Sequence, residues 1–226
     1  ARAGSEAQAA IVVMSADGAV RAMVGGGDLT VAGAFNRATQ ALRQTGSAFK
    51  PFIYGTALDL GMSPFDILLD APACWTTPGS GEWCPSNYTN DFQGEVTMVE
   101  ALQRSLNIPA VALSELVGRE NVRTVAENFG IVSDLARGPA LALGASESTL
   151  VEMTSAYAGI LNGGSAVKPY GLVELRLAGD SEPLLTATGG IRERVIQEGA
   201  ARQLTWMMYQ VVENGSGRRA GIEGWE

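Results

Sequence analysis

No histidine occurs in the 226 residues. That absence removes Ser-His-Asp and Cys-His catalysis, zincin motifs and most zinc sites together. Lysine is almost as scarce, since Lys50 and Lys168 are the only two. Neither follows a glycine, so no Walker A phosphate loop exists. Nowhere does an apolar run approach the roughly 20 residues of a membrane span, and no signal peptide opens the chain at Ala1. Basic residues are outnumbered 24 to 16 by acidic ones, giving a net charge of −8 and a pI near 4.7. Nucleic acid is therefore excluded as the expected partner. Only two cysteines are present, Cys74 and Cys84, bracketing a loop with Trp75, Pro78, Gly79, Gly81 and Trp83. Paired, they would contribute roughly 2.5–3 kcal/mol through loop closure and suit an oxidising compartment. Two cysteines alone leave their state open.

What is present is an apolar fraction of 46% in a chain long enough for one large domain or two small ones. Its chemistry centres on Arg43-Gln44-Thr45-Gly46-Ser47-Ala48-Phe49-Lys50-Pro51-Phe52. At the head of a helix, residues three apart share a face with Cβ atoms about 5–6 Å apart, so Lys50 can reach the Ser47 hydroxyl. Phe52, Ile53, Thr56, Ala57 and Leu60 keep helical spacing, and Gly61 supplies the stop. Pro51 cannot sit in a helix interior, so the helix begins here with Ser47 in its first turn. The positive end of the helix dipole then favours the charge that develops when a serine attacks a carbonyl. Lys50 serves as base only if burial lowers its pKa from about 10.4. An N-capping serine beside a surface lysine fits the same four residues.

Ser165-Ala166-Val167-Lys168-Pro169 repeats the pattern in a different setting. Asn162-Gly163-Gly164 ends a helix before it, and residues 172–177 alternate in chemistry after it, which predicts strand. Residues three apart on a strand point to opposite faces, so Ser165 and Lys168 should not meet.

In chain order, residues 9–14 and 19–24 flank the turn Ala16-Asp17-Gly18 and predict a hairpin of two core strands. Gly25-Gly26-Gly27 then predicts a flexible exit, with no GxGxxG to suggest a phosphate site. Residues 63–95 read as a long ordered surface excursion. Helices are predicted from Met98 to Arg104 with Thr97 as cap, from Pro109 to Val117 with Gly118 as stop, and from Glu120 to Phe129 with Gly130 as stop. Others follow from Thr149 to Leu161 and from Glu198 to Glu213. Residues 167–187 carry strand character. This order predicts an α+β domain with a mostly helical subdomain inserted after the nucleophile helix, and the cleft between two such parts is a common site location.

Ser105-Leu106-Asn107 falls between two helical segments, just before Ile108-Pro109. A hydroxyl and an amide two residues apart on a fixed turn can enter one cleft, the first relaying a proton and the second holding a substrate carbonyl. Helix punctuation explains the same residues.

With these phrases in place the sequence resembles the transpeptidase domain of the class A, bifunctional penicillin-binding proteins. The likeness is carried by Phe35-Asn36-Arg37-Ala38, the stretch from Arg43 to Phe52, Asp70-Ala71-Pro72 and Pro85-Ser86-Asn87-Tyr88. It continues through Glu100 to Pro109, Leu141-Ala142-Leu143-Gly144, Ala156-Tyr157 and Asn162-Gly163-Gly164. Ser-x-x-Lys with a following Ser-x-Asn is a known signature of such proteins and of class A β-lactamases. The resemblance implies the α+β penicillin-binding-protein/β-lactamase-like fold, an antiparallel sheet with helices, and a serine D,D-transpeptidase cross-linking peptidoglycan. It implies that Ser47 attacks the penultimate D-alanine carbonyl of a stem peptide, that Lys50 takes its proton, that Ser105 relays a proton to the leaving amine, and that Asn107 binds the donor peptide. No cofactor or metal is implied, and β-lactam antibiotics would acylate the same serine.

The family's Lys-Thr-Gly motif has no counterpart, because no lysine follows Lys168. The expectation is therefore an N-terminal portion of the domain, residues 1–226, without the C-terminal sheet strands or a glycosyltransferase domain. A second polypeptide or segment carrying the missing strands should accompany it, and location should be periplasmic, with an inner-membrane anchor in the full-length protein. A β-lactamase of the same fold and a non-catalytic cell-wall scaffold are the competing expectations.

Overall fold

The computed structural model describes residues 7–27, 33–77, 79 and 81–222. Among the described residues there are six α-helices: α1 (Lys50–Asp59), α2 (Met98–Gln103), α3 (Asn107–Val117), α4 (Arg119–Asn128), α5 (Leu150–Leu161) and α6 (Glu198–Asn214). Strand pairing among the described residues is confined to two-stranded ladders. The chain forms two compact units, one of residues 1–43, 127–133 and 148–195, the other of residues 44–126, 134–147 and 196–226. The class is α+β, as predicted.

In the second unit, α1 is buried along every residue from Lys50 to Leu58. A helix apolar on all sides belongs in the middle of a domain, and α1 packs against α6, α3 and α2. Gly55 permits the close approach of α6, since a Cβ there would stand 3.1 Å from a Leu204 methyl. Thr97 caps α2 and Glu100 closes the box by bonding back to the Thr97 N–H at 2.8 Å. Leu60, predicted to continue the helix's apolar spacing, is 60% exposed because the helix has ended by then.

Residues 63–95 are more regular than a loop. Ile67–Asp70 pairs antiparallel with Gly94–Thr97, and Trp75–Thr77 with Gly81–Trp83. Proline, glycine and asparagine supply the turns between these short strands, and their density hid the strands in the sequence. Cys74 and Cys84 are joined in a disulfide that clamps the second hairpin. Replacing both by serine should lower stability by about 2.5–3 kcal/mol from loop closure alone. Urea unfolding with and without reductant checks this, and overlapping curves would contradict it.

In the first unit, Ile11–Met14 and Val20–Val24 form the predicted antiparallel hairpin. They are not core strands, however: Ile11 is 60% and Val13 48% exposed. The helix α5 packs against this ladder, and alternate residues of a strand face opposite ways. An unbroken apolar run cannot reveal that only one face is covered. Gly25, expected to begin a flexible exit, is held in place. It accepts the Arg37 N–H at 3.0 Å, and a Cβ there would collide with the Asn36 side chain at 2.0 Å. Ser165–Lys168 pairs with Gly190–Arg194, so the repeated Ser-x-x-Lys lies on a strand as predicted, and the Lys168 amine donates to Thr188 instead. The strand character expected over 167–187 is otherwise reduced to Glu174–Leu175 and Leu185–Thr186.

Candidate active site

Ser47, Lys50, Ser105 and Asn107 all lie in the second unit. Ser47 sits in a 3-10 turn, Gly46–Phe49, that runs directly into α1. Pro51 takes one of the first two helical positions, where its missing N–H costs nothing. Lys50 therefore opens the α-helix, and its backbone N–H donates to the Ser47 carbonyl. The Ser47 side of this turn is exposed, whereas Lys50 is fully buried.

Three acceptors surround the Lys50 amine: the Ser105 carbonyl at 2.6 Å, the Ser105 hydroxyl at 3.0 Å and Asn107 Oδ1 at 2.9 Å. An ammonium has three N–H donors, and each has a partner. Burial nonetheless pushes Lys50 down from its usual value near 10.5 to about 8. Among the described residues no hydrogen bond joins the Ser47 hydroxyl to this amine. The geometry thus brings Lys50, Ser105 and Asn107 into direct contact and leaves Ser47 one turn away on the open side.

Ser105 has φ +56°, in the left-handed region that residues other than glycine rarely adopt. Such strain costs of order 1–3 kcal/mol and concentrates at functional positions. Here it lets the carbonyl and the hydroxyl of one residue converge on one amine. The turn ends with Leu106 in the N-cap position of α3, where it makes no side-chain bond, and Asn107 is the first helical residue. Asn107 is fixed from both sides: its Nδ2 donates to the Ser86 carbonyl at 2.8 Å, and its backbone N–H donates to Asn87 Oδ1 at 2.8 Å.

Gly144 completes the surroundings. The 3-10 helix Pro139–Leu143 ends there at φ +66°, and its carbonyl accepts the Gly46 N–H at 3.1 Å. Any Cβ would stand 2.1 Å from the Gly46 oxygen. Sequence reading quoted Asp70, Ser86, Asn87 and Gly144 only as phrases of a resemblance and gave them no role. Nothing in the sequence set them apart, since Asp and Asn beside proline and glycine read as ordinary turn residues.

The family described as penicillin binding protein transpeptidase domain matches residues 9–226. Penicillin-binding protein 1A of Rickettsia felis is 41% identical over 172 residues, covering 75% of this chain and 22% of that protein. Its namesake in Neisseria lactamica is 35% identical over 228 residues, covering 96% of this chain and 28% of the other. Among solved structures, penicillin-binding protein 1A from Haemophilus influenzae superposes with a TM-score of 0.83 at 28% identity, over 93% of this chain and 36% of that one. PonA1 from Mycobacterium tuberculosis, at 23% identity and a TM-score of 0.81 over 98% of this chain and 60% of its own, shares the fold. The chain thus spans about a quarter of the length of the curated relatives. By family match and by fold, this chain belongs to the transpeptidase domains of the class A penicillin-binding proteins.

Proposed function

We propose that this chain carries the acyl-transfer machinery of a peptidoglycan D,D-transpeptidase, as part of a longer enzyme that supplies the remaining sheet strands. The observation that supports it best is the buried Lys50 amine, lowered to about 8 and bonded to the Ser105 hydroxyl one helical turn from Ser47. At pH 7 about one such amine in ten is neutral and able to accept a proton, against fewer than one in a thousand for an ordinary lysine.

Ser47 Oγ attacks the penultimate D-alanine carbonyl, its proton passing to Lys50. The new ester bond forms as the amide C–N bond breaks, and the proton leaves with the terminal D-alanine amine through Ser105. An amine from a neighbouring stem then attacks the ester, re-forming an amide and freeing Ser47. The N-terminal end of the turn favours the transient oxyanion. Asn107, with its amide orientation fixed, presents its polar edge to the donor peptide. β-Lactams acylate the same hydroxyl. A disulfide and a cell-wall substrate both fit an extracytoplasmic location; no described helix is long and apolar enough to cross a membrane.

Intact mass of the longer enzyme after penicillin treatment tests this. The wild type should gain one penicillin mass and Ser47→Ala none. A wild type that stays unmodified ends the proposal, and rapid turnover of a chromogenic cephalosporin would replace the transferase reading with a hydrolase.

A further inference from the structure

The head of α3 lacks a local cap. Leu106 occupies the capping position and has no side-chain oxygen to accept the first free N–H groups of the helix. The acceptor comes instead from 20 residues upstream, where Asn87 Oδ1 takes the Asn107 N–H at 2.8 Å. Asn87 is only 3% exposed, and its other end is fully engaged. Nδ2 donates to both oxygens of Asp70 at 2.9 Å and to the Asp91 carbonyl at 2.9 Å. Asp70 is completely buried and takes a further bond from the Gln93 N–H at 2.9 Å.

This array has a direction. Asp70, an acceptor only, forces Asn87 to turn its NH2 inward and its oxygen towards Asn107. Ser86, next in the chain, holds the Asn107 side chain by its NH2. With that end occupied, Asn107 can offer Lys50 only its oxygen, which it does at 2.9 Å. Reversal of either amide would set donor against donor. Resting on the acyl-transfer reading above, we propose that Asp70 and Asn87 are positioning residues that hold the Asn107 backbone at the head of α3 and, through it, fix the placement and proton affinity of the general base Lys50. Neither touches substrate.

Burying a carboxylate is expensive unless it is fully hydrogen-bonded, and a cap alone could be supplied by a serine at position 106. Tyr54, on α1 four residues beyond Lys50, is the other titratable group facing Asp70. Burial, then the Asp70 charge, push its hydroxyl far above its usual range, so it stays neutral while Lys50 titrates.

Lysine NMR reads this without relying on activity. In protein labelled with 13C-lysine, the resonance missing from Lys50→Met identifies Lys50, and its titration midpoint is followed in three proteins. Asn87→Ala removes the acceptor of the Asn107 N–H and loosens the first turn of α3 that carries Asn107 Oδ1 to Lys50, so the ammonium's bond weakens and the midpoint should fall by about half a unit or more. Exchanging the two groups, Asp70→Asn with Asn87→Asp, keeps an acceptor for the Asn107 N–H but moves the carboxylate nearer to Lys50. Its midpoint should rise by a similar amount. Penicillin acylation should slow about tenfold or more in Asn87→Ala. Unchanged midpoints in both variants would overturn the assignment, as would a slower Asn87→Ala whose midpoint stays at the wild-type value. Should Asn87→Ala fail to fold by circular dichroism, the exchanged pair decides alone. A wild type that penicillin does not acylate would remove the acyl-transfer reading, while the midpoints would still judge the positioning array.

Discussion

Lys50→Met is expected to reduce penicillin acylation by 10²–10⁴-fold, the usual contribution of a general base, while erasing a pH dependence of stability that the wild type carries. The sign follows from linkage. Lys50 binds its proton at about 8 when folded and near 10.5 when unfolded, so between those values the unfolded chain holds more protons than the folded one. Wild-type stability must then rise with pH across that window, by about 3 kcal/mol in all. Methionine has nearly the same length and no proton to lose. The substitution also strands the Ser105 carbonyl, Ser105 Oγ and Asn107 Oδ1, at a cost of order 1–3 kcal/mol each, but that cost does not vary with pH. The measurement is therefore a difference of differences. Urea unfolding of both proteins at pH 7.5 and pH 11 should show the gap moving by about 3 kcal/mol in favour of the wild type. A gap that stays constant would mean that burial leaves Lys50 an ordinary lysine, unfit to be a base at neutral pH.

The same residue marks how much the sequence could disclose. That a helix starts at Ser47-x-x-Lys50 followed from Pro51, which has no other place in a helix, and the starts of α2 and α5 followed from Thr97 and Thr149, each of which the structure shows closed into a box by the glutamate three residues on. These are local rules with local causes. What Lys50 touches is not local. Its acceptors lie 55 and 57 residues away, and sequence alone named them only as a hydroxyl and an amide able to share a cleft. Helical spacing put Ser47 within reach of Lys50, and the structure shows the lysine's three donors taken by Ser105 and Asn107. A buried ammonium takes every acceptor within reach, and i to i+3 spacing says nothing of competitors from another segment. The Asp70–Asn87 array was illegible for the same reason. Its residue types are those of any turn, and only the pairing of Ile67–Asp70 with Gly94–Thr97 and the return of the chain through residue 87 show them to be buried. The hairpin at the N-terminus misled in the opposite way, since apolar composition predicts burial only where another element arrives to provide it.

Gly144→Ala should be strongly damaging for so small a change. Two independent costs meet there. At φ +66° and ψ +40°, alanine is disfavoured by about 1–2 kcal/mol. Its Cβ would also stand 2.1 Å from the Gly46 oxygen, 2.4 Å from the Gly46 nitrogen and 2.7 Å from the Gly46 carbonyl carbon. All three are backbone atoms, so no rotamer can relieve the contact. Overpacking of this kind costs about 1–3 kcal/mol more, and a total loss of about 2–5 kcal/mol is expected. The displaced element is the turn that carries Ser47, held to Gly144 by the Gly46 N–H bond at 3.1 Å. A shift of about 1 Å in a reacting group can cost 10²-fold in rate, so acylation should fall by at least that factor even where the variant remains folded. Gly138→Ala provides the control. It lies at the other end of the same 3-10 helix, with φ −88°, and its Cβ would meet only a Thr77 methyl at 3.8 Å. That variant should keep its stability within about 1 kcal/mol, since alanine in an accessible conformation also restricts the unfolded chain, and its acylation rate should be unchanged. Equal effects at the two glycines, whether both mild or both severe, would show that the Gly46–Gly144 contact does not hold the nucleophile turn in place.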